Sequence, residues 1–222
     1  MSASGTSDSS TWDKRYASSE LVWSEGPNQL VSELVSPLEP GRAIDLGTGE
    51  GRNAIWLATK GWEVTGVDFS RAGLEKARQL ASKRGVDVTW VVADLTGDFM
   101  PEEGAFDLAL IAYLHLPADQ LQRVLTRAAR SIAPGGTLLV VGHDLSNIDR
   151  GTGGPQDPAI LYTTDTLSRI LDEAGIDLVL ERSEVVKRVV TPAASTADVG
   201  AEQPAKRSEG IAFDTLVLGR RQ

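Results

Sequence analysis

Residues 42–51 read Arg-Ala-Ile-Asp-Leu-Gly-Thr-Gly-Glu-Gly. Their first half, 42–46, has the apolar content of a short strand, and Gly47, Gly49 and Gly51 then alternate through the second half. Residues 52–60 continue with helical spacing until Gly61, at the position where a helix commonly ends in a left-handed residue. A strand, a glycine loop and a helix in that order form the first turn of a βαβ unit. Glycine lets the backbone come close to a ligand, and the helix N-terminus offers N–H groups to an anion. Taken alone, the loop is a weak signal that a tight βα turn with no ligand would also give.

The same rhythm extends outward. Residues 63–67 predict a second strand ending at Asp68, and Ser70 caps a helix with Leu74, Ala77 and Ala81 on one face and Gly85 at its end. Residues 88–92 predict a third strand. Residues 106–112 form a nearly continuous apolar run, as expected of a strand covered on both faces. Leu121, Val124, Leu125, Ala128 and Ile132 make a helical stripe, and Pro134, Gly135 and Gly136 turn the chain into a fifth strand at 137–141. Alternating strands and helices imply right-handed crossovers and a mainly parallel sheet. The pattern then changes. A Gly/Pro/Asp-rich loop at 146–158 and a helix at 164–174 precede two strands, 176–190 and 212–218, separated only by the polar stretch 192–210. Two strands without a crossover helix are expected to pair antiparallel. Upstream, Leu30, Val31, Leu34 and Val35 keep helical spacing until Pro37. The expected organisation is a disordered tail at 1–11, an N-terminal helical or lid segment at 12–40, and one α/β domain at 41–222. That domain is a doubly wound, Rossmann-like, seven-stranded sheet, mainly parallel with an antiparallel C-terminal strand pair.

Composition narrows the chemistry. The 222 residues include no cysteine, which excludes disulfides, thiolate metal sites and cysteine nucleophiles, and only two histidines, so no metal site is expected. The formal net charge is −9, from 31 acidic and 22 basic residues, a field that repels a polyanion; no nucleic-acid partner is expected. There is no apolar run long enough to span a bilayer and no apolar core to the first residues of the kind a secretory signal carries. A cytoplasmic location without membrane association is the default expectation.

Three acidic residues, Asp45, Asp68 and Asp94, fall at the carboxyl ends of the first three strands, where open α/β sheets place their ligands. Each taken singly is equally a turn or helix-start carboxylate. Together, Asp45-x-Gly47-x-Gly49-x-Gly51, Asp68 and Asp94 resemble the class I S-adenosylmethionine-dependent methyltransferases. The stretches WDKRYASSELVWSEGPNQL and DLGTGEGRNAIWLATKGWEVTGVDFS resemble the branch of tellurite-resistance and thiopurine-type enzymes. The likeness covers roughly residues 12–145. It implies S-adenosylmethionine as cofactor, with Asp45, Gly47, Thr48, Gly49, Gly51 and Asn53 around its methionine part. It further implies Asp68 at the ribose hydroxyls with Ser70 following it, Phe69 beside the adenine, Asp94 and Leu95 in contact with the adenine, and Ala112 and Tyr113 near the sulfonium. Thr48 departs from the branch, where cysteine is frequent, and is expected to matter little. Arg52 continues the branch motif but is equally a solvated helix residue.

Methyl transfer from a sulfonium needs alignment above all, and a base only where the nucleophile arrives protonated. The candidates for chemistry are His115, after the fourth strand, and Tyr16, in a segment that in the resembled family can close over the cofactor. His143 follows the fifth strand; Asp144 beside it faces the other way in an extended chain. His115 reads more readily as a capping or satisfied structural residue, His143 equally as one, and Tyr16, Trp12 and Trp23 equally as sheet-edge packing. The expected partner is a small-molecule methyl acceptor, and the branch resemblance points to a thiol, a selenium or tellurium oxyanion, or a small aromatic. The alternatives are a methyltransferase of a macromolecule, a non-catalytic S-adenosylmethionine-binding module, and a nicotinamide-dinucleotide enzyme. The last would want a third glycine at the place where Arg52 stands.

Overall fold

A computed structural model describes residues 12–14, 16, 26–190 and 210–222. Seven strands form one sheet, β1 (Arg42–Leu46), β2 (Glu63–Asp68), β3 (Thr89–Val92), β4 (Phe106–Ala112), β5 (Ile132–His143), β6 (Leu178–Val190) and β7 (Gly210–Arg221). The spatial order is β3-β2-β1-β4-β5-β7-β6. β1 to β5 are parallel, whereas β7 runs antiparallel between β5 and β6. The expected C-terminal antiparallel pair is present, and β7 also pairs antiparallel with β5.

The helices are α1 (Gln29–Val35), α2 (Arg52–Thr59), α3 (Arg71–Arg84), α4 (Ala118–Ser131), α5 (Asn147–Arg150) and α6 (Thr164–Glu173). Their ends follow local chemistry. Asn28 and Ser70 accept from the third residue of α1 and α3, and Gly85 closes α3 at φ 66. Two apolar layers sandwich the sheet. Ile44, Ile111 and Leu138 pack against α4 and α6 on one face; Leu108, Leu110 and Leu139 pack against α1 and α2 on the other. Such double coverage explains why β4 is apolar at every position but the exposed Asp107.

Two expectations need correction. β5 does not begin after the Pro134–Gly136 turn but at Ile132, and those residues form a bulge, because the partner register jumps from Phe106↔Ile132 to Leu108↔Thr137. The loop at 146–158 is not structureless: it holds α5 and leads into a short 3₁₀ turn at Pro158–Ile160. Trp23 and most of the polar stretch at 192–210 lie outside the described residues. Among the described residues no helix is long and apolar enough to cross a membrane.

Candidate functional site

The reversal of strand order about β1 and β4 opens a crevice at the carboxyl edge of the sheet. On one side lies the glycine loop. Gly47, Gly49 and Gly51 have φ of 78°, 57° and 78°, a region that L side chains rarely adopt. A Cβ on Gly51 would lie 2.5 Å from the Trp90 ring, so the tight approach of loop to β3 needs glycine. The loop is braced by two buried carboxylates. Asp45 accepts from Thr48 Oγ1 at 2.7 Å, and Asp68 accepts from Gly49 N and Ser70 N, both at 2.8 Å. Burial pushes Asp45 up to about 6, against the Thr48 hydrogen bond, and burial raises Asp68 against its backbone donors. Thr48 is therefore not idle: its hydroxyl fixes the Asp45 carboxylate.

The other motif residues divide. Asn53 is buried, and its Oδ1 accepts from Asn28 N at 2.9 Å, tying α1 to α2. Ser70 Oγ accepts from Gly73 N and donates to Asp13 at 2.5 Å, so its hydroxyl is committed to capping. Asp94 is exposed, and its Oδ1 accepts from Thr96 N and Oγ1 at 2.8 Å, as a turn carboxylate does. Leu95 is buried against Val67 and Ile111, and Phe69 is half-buried beside Asp68. Arg52 is no solvated helix residue. Its guanidinium is mostly buried, with Tyr113, Asp45, Arg188 and Tyr16 as its charged and polar surroundings, and burial lowers its affinity for the proton.

Tyr16 is 4% exposed and packs over the N-terminus of α3, beside Gly73 and the Gly49 carbonyl. Asp13 accepts from Ala72 N at 3.2 Å in the same place. The described part of the N-terminal segment thus covers the glycine-loop side of the crevice.

A second cluster lies across the crevice, at the ends of β4, β5, β6 and β7. Asp214 is fully buried and is its hub. Tyr113 Oη and Arg188 Nε each donate to Asp214 Oδ2 at 2.7 Å, and His143 Nδ1 lies 3.1 Å from Oδ1, off the line of a hydrogen bond. Burial opposes the charge, but the His143, Arg188 and Tyr113 contacts outweigh it and hold the Asp214 carboxyl below its usual range. Tyr113, the first residue past β4, has φ 59°, a strained value for a tyrosine and one found at functional sites. Burial and then Asp214 push its phenol up, so it stays protonated. Asn28 Nδ2 reaches the same hydroxyl at 3.3 Å.

His115 belongs to this cluster but differs in role. Its Nε2 accepts from the backbone N–H of His143 at 3.1 Å, and its ring stacks between those of His143 and Tyr162. Burial, with His143 next, lowers it to about 3. It is thus a neutral residue with Nε2 already engaged, which removes it as a base through that atom. Asp144 does not orient His143: it faces the other side and accepts from Thr215 Oγ1 at 2.7 Å. The histidine's carboxylate is Asp214, its direct partner across the β5–β7 ladder. Asp214, Arg188, Asn28 and Asn147 carry no motif. Only the register of β5 on β7, which the sequence alone leaves open, brings Asp214 to His143.

Comparison with known proteins agrees with this frame. The family model described as "Methyltransferase domain" matches residues 43–136. A demethylmenaquinone methyltransferase of Thermus thermophilus is 38% identical over 55% of this chain and 54% of its own length. A 2-heptyl-1-hydroxyquinolin-4(1H)-one methyltransferase of Mycobacteroides abscessus is 28% identical over 60% of each. TehB of Haemophilus influenzae, a probable S-adenosyl-L-methionine-dependent methyltransferase, is 21% identical over 50% of this chain. Its solved structure superposes with a TM-score of 0.66 at 13% identity, over 96% of this chain and 67% of that one, a likeness of fold. The chain spans about half or less of the first three curated relatives' own length, 38%, 54% and 33%.

Proposed function

We propose that the chain is a class I S-adenosylmethionine-dependent methyltransferase, a reading supported by the match of residues 43–136 to the methyltransferase domain model and by its methyltransferase relatives, and that it methylates a small-molecule acceptor seated between the glycine loop and the Tyr113–His143–Arg188 cluster. S-adenosylmethionine is the cofactor of this family, and the residues suit it. Two buried carboxylates with raised affinity for protons, Asp45 and Asp68, favour a ligand that brings a positive charge and hydroxyl donors. Arg52 suits a carboxylate. When bound, the cofactor supplies an activated methyl group on a sulfonium.

In this reading Asp45, Gly47, Thr48, Gly49, Gly51 and Arg52 hold the methionine part, and Asp68 and Phe69 the ribose. Asp94 and Leu95 bound the adenine end, and Ala112 and Tyr113 stand nearest the acceptor. Asn53 and Ser70 shape the loop through α1 and α3 rather than touching the cofactor. Tyr16 is a wall that keeps water from the glycine loop. His115 positions the His143 backbone.

The observation that carries the proposal is the placement of both clusters on one edge of the sheet, with the Arg52 guanidinium near enough to Asp45, Tyr113 and Arg188 to feel their charges. Two of the relatives are named for small-molecule substrates, demethylmenaquinone and 2-heptyl-1-hydroxyquinolin-4(1H)-one, which supports a small acceptor over a macromolecule. The test is calorimetric titration with S-adenosylmethionine of the wild type and of Asp68→Ala, followed by a turnover screen of small acceptors. Micromolar binding lost in the variant supports the reading. Equal affinity in a folded variant overturns the site, and binding with no turnover of any acceptor would favour the non-catalytic alternative.

A further inference from the structure

His143 and Asp214 have a geometry that cofactor binding alone does not require. They face each other across the β5–β7 ladder, so their spacing is set by strand register rather than by a flexible loop. Asp214 is fixed from three elements, by Tyr113 after β4, by Arg188 on β6 and by its own strand. His143 Nδ1 is buried with no hydrogen bond among the described residues, and the carboxylate oxygen 3.1 Å away is the acceptor next to it. Catalytic hydrogen bonds in empty sites are commonly off-line and tighten when ligands bind. With Nδ1–H turned to Asp214, the lone pair of the imidazole lies on Nε2. The His143 side chain is 12% exposed, against 0% for Asp214.

The ring is also held in place. Gly153 and Gly154, at φ 76° and 75°, press the backbone against it, and a Cβ on Gly154 would lie 2.6 Å from His143 Cδ2. That loop is stapled by Asn147, whose Nδ2 donates to Gly153 O at 2.9 Å while its Oδ1 accepts from Phe213 N at 2.8 Å, one residue before Asp214. A fixed imidazole with a fixed carboxylate behind it, at the rim beside Tyr113, is the arrangement of a general base.

Resting on the methyltransferase reading above, we infer that His143 is the base for an acceptor that arrives protonated, and that the acceptor is a phenol-type hydroxyl rather than a thiol or chalcogen oxyanion. A thiol is partly ionised near neutrality and a chalcogen oxyanion already carries charge, so neither needs the dyad. An aliphatic alcohol is too weak an acid for an imidazole to help much, whereas an aromatic hydroxyl, near 10 in water, is within its reach. The acceptor O–H gives its proton to Nε2 as the oxygen pair forms the O–C bond to the methyl group. The C–S pair stays on sulfur, which departs as an uncharged thioether, and the imidazolium returns its proton to water. Asp214 is the positioning residue: its charge steadies the imidazolium. The titratable and charged groups facing His143 are Tyr113 and His115 after β4, Arg188 on β6 and Asp214 on β7.

The experiment uses three probes, 4-methylphenol, 4-nitrophenol and thiophenol, on wild type, His143→Gln and Asp214→Asn. In His143→Gln, kcat/KM for 4-methylphenol is expected to fall about 10²–10⁴-fold. Little loss is expected on 4-nitrophenol above its own pKa or on thiophenol. Asp214→Asn moves the acid limb of the pH–rate profile to lower pH, because the imidazolium loses its counter-charge. Independently of turnover, the visible absorption of bound 4-nitrophenol, titrated without cofactor, shows a lower apparent pKa in wild type than in His143→Gln. Equal losses on all three probes with unchanged absorption would make His143 structural and overturn the proposal. So would a wild type that binds S-adenosylmethionine yet neither methylates nor ionises the phenols. Absence of S-adenosylmethionine binding strikes the underlying reading instead. Should Asp214→Asn fail to fold, Gly154→Ala, which pushes on the ring from the loop, is expected to lower kcat on 4-methylphenol selectively.

Discussion

Nε2 of His115 accepts the backbone N–H of His143 at 3.1 Å, so one histidine of the pair spends its lone pair holding the main chain of the other. Burial keeps His115 neutral to about 3, from an ordinary value of 6.5. The unfolded chain therefore binds a proton at this residue that the folded chain refuses, and stability falls as pH drops below 6.5. The slope is about 1.4 kcal/mol per pH unit. His115→Asn keeps an acceptor but cannot titrate. The stability of wild type relative to this variant, from urea unfolding at several pH values between 7 and 4, should decline on acidification. A flat difference would show the ring to be solvated.

Asp45 has the opposite sign. Its folded carboxyl keeps a proton up to about 6, whereas the unfolded one releases it near 3.8, so its contribution is full below 3.8 and is lost as pH rises through 6. Asp45→Asn should gain on wild type in that window, again by about 1.4 kcal/mol per pH unit. The same variant should bind S-adenosylmethionine at least about tenfold more weakly, a stability gained at a functional site's expense. Unfolding curves and calorimetry on one preparation test both halves.

Gly51→Ala places a methyl 2.5 Å from Trp90 and 3.0 Å from Ala77 at φ 78°. Left-handed backbone and overpacking together predict a loss of about 2–4 kcal/mol. The indole must move, so the tryptophan emission should change along with the urea midpoint. An unaltered midpoint would mean that the loop relaxes freely.

Asn147→Ala leaves the buried Phe213 N–H without its partner and frees the Gly153 C=O at the surface. The expected cost is about 1–3 kcal/mol. Hydrogen exchange should rise at 151–154 and at the start of β7, and not in β1 to β3. Exchange that rises everywhere would mark global destabilisation in place of a local staple.

Most of the frame was legible because periodicity reports burial. β1 and β4 begin and end where their apolar runs do, and Ser70 and Gly85 bound α3 as their cap chemistry requires. The glycine loop was legible because positive φ leaves a compositional trace. Pro134–Gly136 misled for the same reason: turn residues also make a bulge, and the choice rests on partner strands. The acceptor side was hardly legible. His143 stood out by residue type, but its natural partner by adjacency, Asp144, faces the wrong way, and Asp214 lies far along the chain. Thr48 was misjudged because its contact is with a side chain rather than with a ligand.

The insertion of β7 between β5 and β6 bears on how the molecule is made. Among the described residues β6 has no strand but β7 to lie against, and the outer edge of β5 stays open until β7 arrives. On a ribosome adding about 5–20 residues per second, the roughly 70 residues from β5 to β7 leave that apolar edge bare for several seconds. A nascent chain with β1 to β5 in place already has its glycine loop, yet it presents Val140 and Val141 on an unpaired margin. Crowded synthesis at high temperature is then the condition under which this protein is most prone to misassociate, and slower expression should raise its yield.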